Sequence, residues 1–366
     1  MTELVIGIEL DLVGSHRAAW RFATHPPHVA LNPEHIAGQA RHLDEAGYDF
    51  LSLRTPPEPG EFPTRNPLIR LSATELAGFL AGHTHNIGIV VDTNTIRAEA
   101  FHLANQLASV DWTSGGWAGW IPTIDETPAI AASFNEEEIT DTDRLHREAV
   151  EVVTAVRRIW DTWEDGAILA DQSIPRFFNL ERWHNTDFVG EFFTVEGPSI
   201  VARPPQGQLV VFGYAGDNLG EGVDVVFLDA RGPQEVSARA AAARAAGARS
   251  VIQDVRVVLA ADSDAAARRL AELEAAGEWN EDRPALLFAG TPAALTELLA
   301  GIADHVDGVR LLPAVNDVDI PLLSQAVLPA LAERGVHERA TIARTLTERL
   351  ALAPRQNVFA LERAAR

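Results

Sequence analysis

Leu4-Val5-Ile6-Gly7-Ile8-Glu9-Leu10 is a short apolar run, rich in β-branched residues and followed by Gly14; a run of this length and kind reads as a buried strand. Asn32-Pro33-Glu34 then offers an N-cap with proline at the first helical position, and Ala46-Gly47 offers a C-terminal stop, so a helix is predicted between them. Tyr48-Asp49-Phe50-Leu51-Ser52-Leu53 reads as the next strand. Strand, helix and strand in that order make a βαβ unit, which commits the chain to a parallel sheet.

The alternation continues outward from this unit. Ser72–His83 and Ala98–Val110 read as helices around a strand at Ile87–Val91, Gly116–Trp120 as a strand, and Asp141–Trp163 as a long helix. Further strands are predicted at Gln208–Phe212, Val223–Leu228, Val255–Leu259 and Gly308–Leu312, with alanine-rich helices between most of them. Eight strands alternating with helices predict an α/β fold, a (β/α)8 TIM barrel spanning residues 1–366 as one domain. Two departures from the plain pattern are expected: an irregular rim insertion over 166–206 containing the hairpin-like GEFFTVEG, and a truncated connection between strands five and six. Only Gly213 to Gly222 joins that pair, too little for an ordinary crossover helix. Residues 336–366 read as a C-terminal tail.

Composition narrows the chemistry. The 366 residues are 46% hydrophobic and 22% charged, enough apolar material for a large core. A net charge of −22 opposes phosphate backbones and anionic lipid heads, which sets nucleic acid and membrane aside as partners. Cysteine is absent and all 30 basic residues are arginine, so thiol nucleophiles, disulfides, Cys-ligated metals and lysine Schiff bases drop out. The histidines show no metal-site spacing, and no metal is expected. Met1-Thr2-Glu3 passes straight into the first strand without a basic leader, and no run of 18 apolar residues follows; a cytoplasmic protein is expected.

In a barrel, chemistry gathers at the C-terminal ends of the strands. His16 follows the first strand there and is the candidate acid, base or substrate contact; a histidine bonded to its own loop is the competing reading. Asn94 and Thr95 follow the third strand and suit the edge of a planar heterocycle or a phosphate, or equally the cap of the next helix. Trp117 and Trp120 are placed to wall a ring-shaped ligand or to pack in the barrel core.

The stretch Phe101–Trp120, FHLANQLASVDWTSGGWAGW, resembles the signature of the luciferase-like monooxygenases, and in particular the branch that oxidises nitrilotriacetate, EDTA, dibenzothiophene sulfone and long alkanes. Arg158–Asp165, His184–Pro198, Arg203–Gly207, Phe288–Pro292 and Leu328–Gly335 resemble the same family in the same order. The resemblance implies a barrel carrying reduced FMN, or F420 in related branches, fed by a separate flavin reductase, acting with O2 on a small organic substrate, and forming a homodimer. It carries flavin contacts to Thr55, Asn94 and Thr95, and a substrate-side role to His16. At the family's phosphate contacts this chain has His146 in place of tyrosine and Ala215-Gly216-Asp217-Asn218 in place of a serine-bearing turn that starts a helix. The Asp217 carboxylate, standing with Gly216 and His146 where the family has free helix N–H groups, is expected to weaken phosphate binding. The alternative is therefore a repurposed, non-catalytic barrel, while Arg17, Arg54 or Arg97 could instead clamp the phosphate.

Overall fold

The first strand, β1 (Val5–Glu9), feeds a long loop into α1 (Pro33–Ala46), whose cap is Asn32: its side chain accepts from the Glu34 N–H, and Gly47 closes the helix in the left-handed region at φ 96°. The computed structural model describes residues 3–54, 71–279, 283–338 and 343–365. The alternation then runs β2 (Phe50–Leu53), α2 (Ala73–Ala81), β3 (Gly88–Asn94), α3 (Ala100–Ser114), β4 (Ala118–Thr123), α4 (Pro128–Ser133) and α5 (Thr142–Asp161). Two small hairpins follow, β5 (Ile168–Asp171) with β6 (Arg176–Phe178) and β7 (Phe188–Val189) with β8 (Thr194–Val195). The second half continues with β9 (Val210–Tyr214), β10 (Val225–Leu228), α6 (Pro233–Ala245), β11 (Ser250–Leu259), α7 (Ser263–Ala276), β12 (Leu286–Gly290), α8 (Pro292–Ile302) and β13 (Gly308–Pro313). The last helices are α9 (Asn316–Leu322), α10 (Leu328–Glu333), α11 (Leu346–Arg349) and α12 (Val358–Ala364).

Eight parallel strands close a ring in the order β1, β2, β3, β4, β9, β10, β11, β13 and back to β1, which is the predicted barrel. The sequence reading missed a ninth strand. β10 pairs with β11 only over Ser250–Gln253, and β12 takes up the same edge from Val255 to Leu259, above the point where β10 stops. The truncated connection is as expected: between β9 and β10 stands a single three-residue 3-10 turn, Gly220–Gly222, and no helix.

Side chains alternate across a strand, so residues two apart share the barrel interior. The middle of the interior is apolar, with Phe50, Val90, Phe212, Phe227 and Ile252 fully buried in one cluster. Two residues further along their strands come Ser52, Asp92, Tyr214 and Asp254, joined by Glu9 and Arg310. The lining thus turns from hydrocarbon to charge at the C-terminal mouth.

The other end is plugged by the C-terminal segment. Leu346 lies in the same cluster as Phe50 and Phe212, its backbone N–H bonds Gly116 O at 2.9 Å, and a Cβ on Gly88 would meet its Cδ1 at 2.6 Å. The described part of the C-terminal segment from residue 343 is therefore packed into the barrel floor through α11, and α12 lies on α5. The segment over 166–206 joins the C-terminal end of α5 to the start of β9, so it leaves and rejoins the barrel on this same floor, opposite the mouth. Its hairpin β7–β8 runs back along α5, where the Glu151 carboxylate accepts the N–H groups of Glu191, Phe192 and Phe193. No helix among the described residues is long and apolar enough to cross a membrane.

A buried carboxyl ties these floor elements together. Asp111, fully buried on α3, accepts from Ala118 N at 3.2 Å and from Gln206 Nε2 at 2.6 Å, and Gln206 in turn accepts from Thr347 Oγ1 at 2.7 Å. Burial pushes its pKa up to about 7 against these hydrogen bonds. The folded chain then keeps this proton to about pH 7, whereas the unfolded chain releases it near 3.8. Stability from this group is full below the unfolded value and is lost as pH rises through the folded one. Asp111→Asn, which mimics the protonated acid, is expected to be at least as stable as the parent at pH 8, and the difference should shrink toward pH 4. Urea titrations at both pH values check it; a variant that is less stable than the parent at pH 8 by the same margin as at pH 4 would show that Asp111 is ionised in the fold.

Candidate active site

The mouth is organised by one arginine. Arg310 enters from β13 and forks onto Asp254 of β11, Nε donating to Oδ1 at 2.9 Å and Nη2 to Oδ2 at 2.5 Å, with both side chains 2% exposed. Its remaining donors reach the Tyr214 hydroxyl at 3.0 Å and Ser52 Oγ at 3.3 Å, and its Cζ lies 3.8 Å from the centre of the Phe227 ring. A planar fork matched to a carboxylate in this way is a rigid unit. Beside it, Arg54 lies 3.9 Å from Asp92. Glu9 is buried with no hydrogen-bond partner for Oε1 among the described residues; burial raises its pKa, against the pull of Arg54 and Arg310, and favours the neutral acid.

Trp279 and Arg283, from the described ends of the connection between α7 and β12, stand beside this network. Trp279 bridges to His16, their rings edge to face at 4.7 Å, and Arg256 stands 5.3 Å from the centre of the Trp279 ring. Arg283 lies 3.9 Å over the Tyr214 ring. Between Glu9, Arg54, Tyr214, Asp254, Arg283 and Arg310 the remaining cavity is about 20 Å³, room for a single water.

The predicted site residues fall into three groups. His16 is at the mouth and 2% exposed; its Nδ1 accepts from Ala18 N at 3.1 Å, so the proton sits on Nε2, which has no partner among the described residues. Burial, then Arg256, lowers its pKa to about 4, so the imidazole is neutral near pH 7. Asn94 and Thr95 lock strand ends together: Asn94 Nδ2 donates to Asp125 O at 2.8 Å, its Oδ1 accepts from Ile96 N and Asp125 N, and Thr95 Oγ1 donates to Thr123 O at 2.7 Å. His146, Gly216 and Asp217 do converge on one corner, between the first turn of α5 and the loop after β9. His146 Nδ1 donates to Thr142 O at 2.7 Å, and burial raises the Asp217 pKa against Arg283 and His146. Thr55 lies outside the described residues.

At two places the structure decides between alternatives the sequence left open. Neither tryptophan of the fourth strand walls the mouth: Trp117 belongs to the floor cluster with Leu346, and Trp120 points outward to Trp160 of α5, its Nε1 donating to Thr93 Oγ1 at 2.7 Å. Arg97 is not available as a phosphate clamp. It is held at φ 61° with its guanidinium on Glu126 at 2.6 Å, on Glu136 and on Glu137 O, while its N–H bonds Glu148.

FMN was the expected guest, and two features test the fit. No helix N-terminus stands after β9, and a half-buried carboxylate, Asp217, occupies the corner instead. Pockets for cofactor-sized ligands run to roughly 300–1,000 Å³, far beyond the space in the mouth. The missing helix and the Asp217 carboxyl oppose a phosphate at this corner, and a tricyclic ring exceeds the small cavity that Arg283 lines among the described residues.

Comparison with known proteins places this architecture. The family model described as luciferase-like monooxygenase matches residues 16–308. N-acetyl-S-(2-succino)cysteine monooxygenase of Bacillus subtilis (strain 168) is 31% identical over 59% of this chain and 49% of its own length. Nitrilotriacetate monooxygenase component A of Aminobacter aminovorans is 28% identical over 57% and 49%. The chain thus aligns with about half the length of these curated relatives. EDTA monooxygenase from Chelativorans sp. BNC1 superposes with a TM-score of 0.84 over 96% of this chain and 99% of that one at 21% identity, a likeness of fold.

Proposed function

Because the chain belongs to the luciferase-like monooxygenase family, we propose that it is a flavin-dependent oxidoreductase of the monooxygenase kind. It would act on a small organic substrate with O2 and with reduced FMN delivered by a separate flavin reductase, F420 being the alternative cofactor, as a cytoplasmic homodimer. The observation that carries this reading is the convergence of Glu9, Ser52, Asp92, Tyr214, Asp254 and Arg310 from six strand ends on one mouth. That is where barrels place their chemistry. In this reading the described arrangement is a closed one. Arg310, fixed by Asp254 and Tyr214, is a standing cation beneath the substrate, neutral His16 holds a proton at Nε2, and burial shifts Glu9 toward its neutral form.

A second reading is favoured by the small cavity and by Asp217: a barrel that kept the fold and lost the flavin. Titration with reduced FMN, FMN and F420, followed by absorbance and fluorescence, separates the two. Saturable binding of one of them, with O2- and substrate-dependent turnover in a reductase-coupled assay, supports the first. No binding of any below about millimolar, which is only ~4 kcal/mol, leaves the second.

A further inference from the structure

We propose that the mouth selects against dianionic ligands, so that a flavin without its phosphate is bound at least as tightly as FMN; this rests on the flavin reading above and names the form of the flavin. The argument is one of charge in a confined space. Among the described residues the mouth gathers four arginines, Arg54, Arg256, Arg283 and Arg310. Against them stand six carboxyl groups: Glu9, Asp11, Asp92, Asp125, Asp217 and Asp254. The arginines are committed. Arg310 is forked onto Asp254, Arg54 faces Asp92 and Glu9, Arg256 packs over Trp279, and Arg283 packs over Tyr214 facing Asp92 and Asp125.

At the corner itself the balance is sharper. The groups that face the Asp217 carboxyl are Arg283, His146, Asp125 and the backbone N–H of Tyr214, while the N–H of Asp217 itself is spent on the Tyr214 carbonyl at 3.0 Å. A phosphate monoester carries close to two negative charges at neutral pH. Seated here it would add them to two carboxylates that share one arginine and one histidine. The backbone gives little more than that one N–H, because the loop after β9 proceeds to a three-residue turn and not to a helix with a set of free N–H groups. An uncharged ribityl end meets no such opposition, and Gly216 beside Asp217 is open to solvent, with no neighbour within 4 Å of an added Cβ. The net charge of −22 over the whole chain acts in the same direction at longer range.

The test is the ratio of dissociation constants for FMN and riboflavin, read by flavin fluorescence, in the parent and in Asp217→Asn. Riboflavin is expected to bind as tightly as FMN or tighter in the parent. Asp217→Asn should tighten FMN by about tenfold while moving riboflavin by less than about twofold, and high salt should narrow the parent's ratio. The Asp217 side chain sits in a surface loop, so the variant is expected to fold; Asp125→Asn provides a second removal of charge facing the same corner. FMN bound tenfold more tightly than riboflavin by the parent, or equal responses of both ligands to Asp217→Asn and Asp125→Asn, overturns the inference while leaving the flavin reading intact. Binding of neither flavin removes both.

Discussion

Arg310→Met is expected to destabilise the barrel by about 3–5 kcal/mol, because truncating one partner of a buried ion pair leaves the other charge stranded. Asp254 is 2% exposed and receives two hydrogen bonds from this guanidinium. Its removal also takes a donor from Tyr214 and from Ser52. Methionine fills much of the volume against Phe227, so the loss reports charge more than packing. The stranded carboxylate can escape by taking up a proton, and the deficit should therefore shrink as pH falls. Urea midpoints at pH 8 and pH 5 measure both effects; a loss below about 1 kcal/mol at pH 8 would mean that water already reaches the pair. The double variant Arg310→Met/Asp254→Leu is expected to recover most of the stability, since apolar replacements of buried pairs are often neutral or better. A pair the fold can do without is then kept for what it does at the mouth, and ligand binding by the stable double variant should be lost.

How far the sequence foretold this network is a question about closure. The βαβ alternation placed all eight ring strands, because buried parallel strands announce themselves as apolar runs between helix stop and start signals. β12 escaped because Leu286–Gly290 is a five-residue apolar run between Pro284 and Pro292, and periodicity cannot separate such a run from a loop or a helix fragment. The same limit hid the mouth. An arginine in the middle of GVRLL or an aspartate in VIQDV has no partner in its own segment, and Arg310 and Asp254 become neighbours only when β11 pairs with β13.

A signal was nevertheless present. Strand after strand carries an inward apolar or glycine position followed two residues later by a polar one: Gly7 and Glu9, Phe50 and Ser52, Val90 and Asp92, Phe212 and Tyr214, Ile252 and Asp254, Gly308 and Arg310. Reading period two across all strands together would have drawn the ring of charge before any coordinates. Asn94 and Thr95 show the converse. Their residue types suit a ligand edge and a strand tie equally, and their hydrogen bonds are spent on the tie.

Leu346→Ala is expected to cost about 2–5 kcal/mol, the range for emptying a fully buried leucine site. The size of the loss depends on whether the surroundings can collapse, and here they are stiff. Leu346 is 0% exposed among Phe50, Phe212 and Ile252, which belong to separate barrel strands held by parallel ladders, and Trp117 just ahead of β4. The floor was shaped for it: a Cβ on Gly88 would come within 2.6 Å of its Cδ1, and one on Gly119 within 3.1 Å of its Cδ2. Gly88→Ala alone should therefore overpack the floor and destabilise by about 1–3 kcal/mol. Combined with Leu346→Ala, the new methyl enters the vacated space, so the double variant should lose clearly less than the sum of the singles. Strict additivity would mean that Leu346 does not fill the space the glycine leaves. Proteolysis supplies the complementary reading. If residues 336–366 were merely appended, cleavage before α11 would leave the barrel's urea midpoint unchanged; a plug that completes the core must, when cut away or hollowed, lower that midpoint and loosen the mouth network stacked above the same strands.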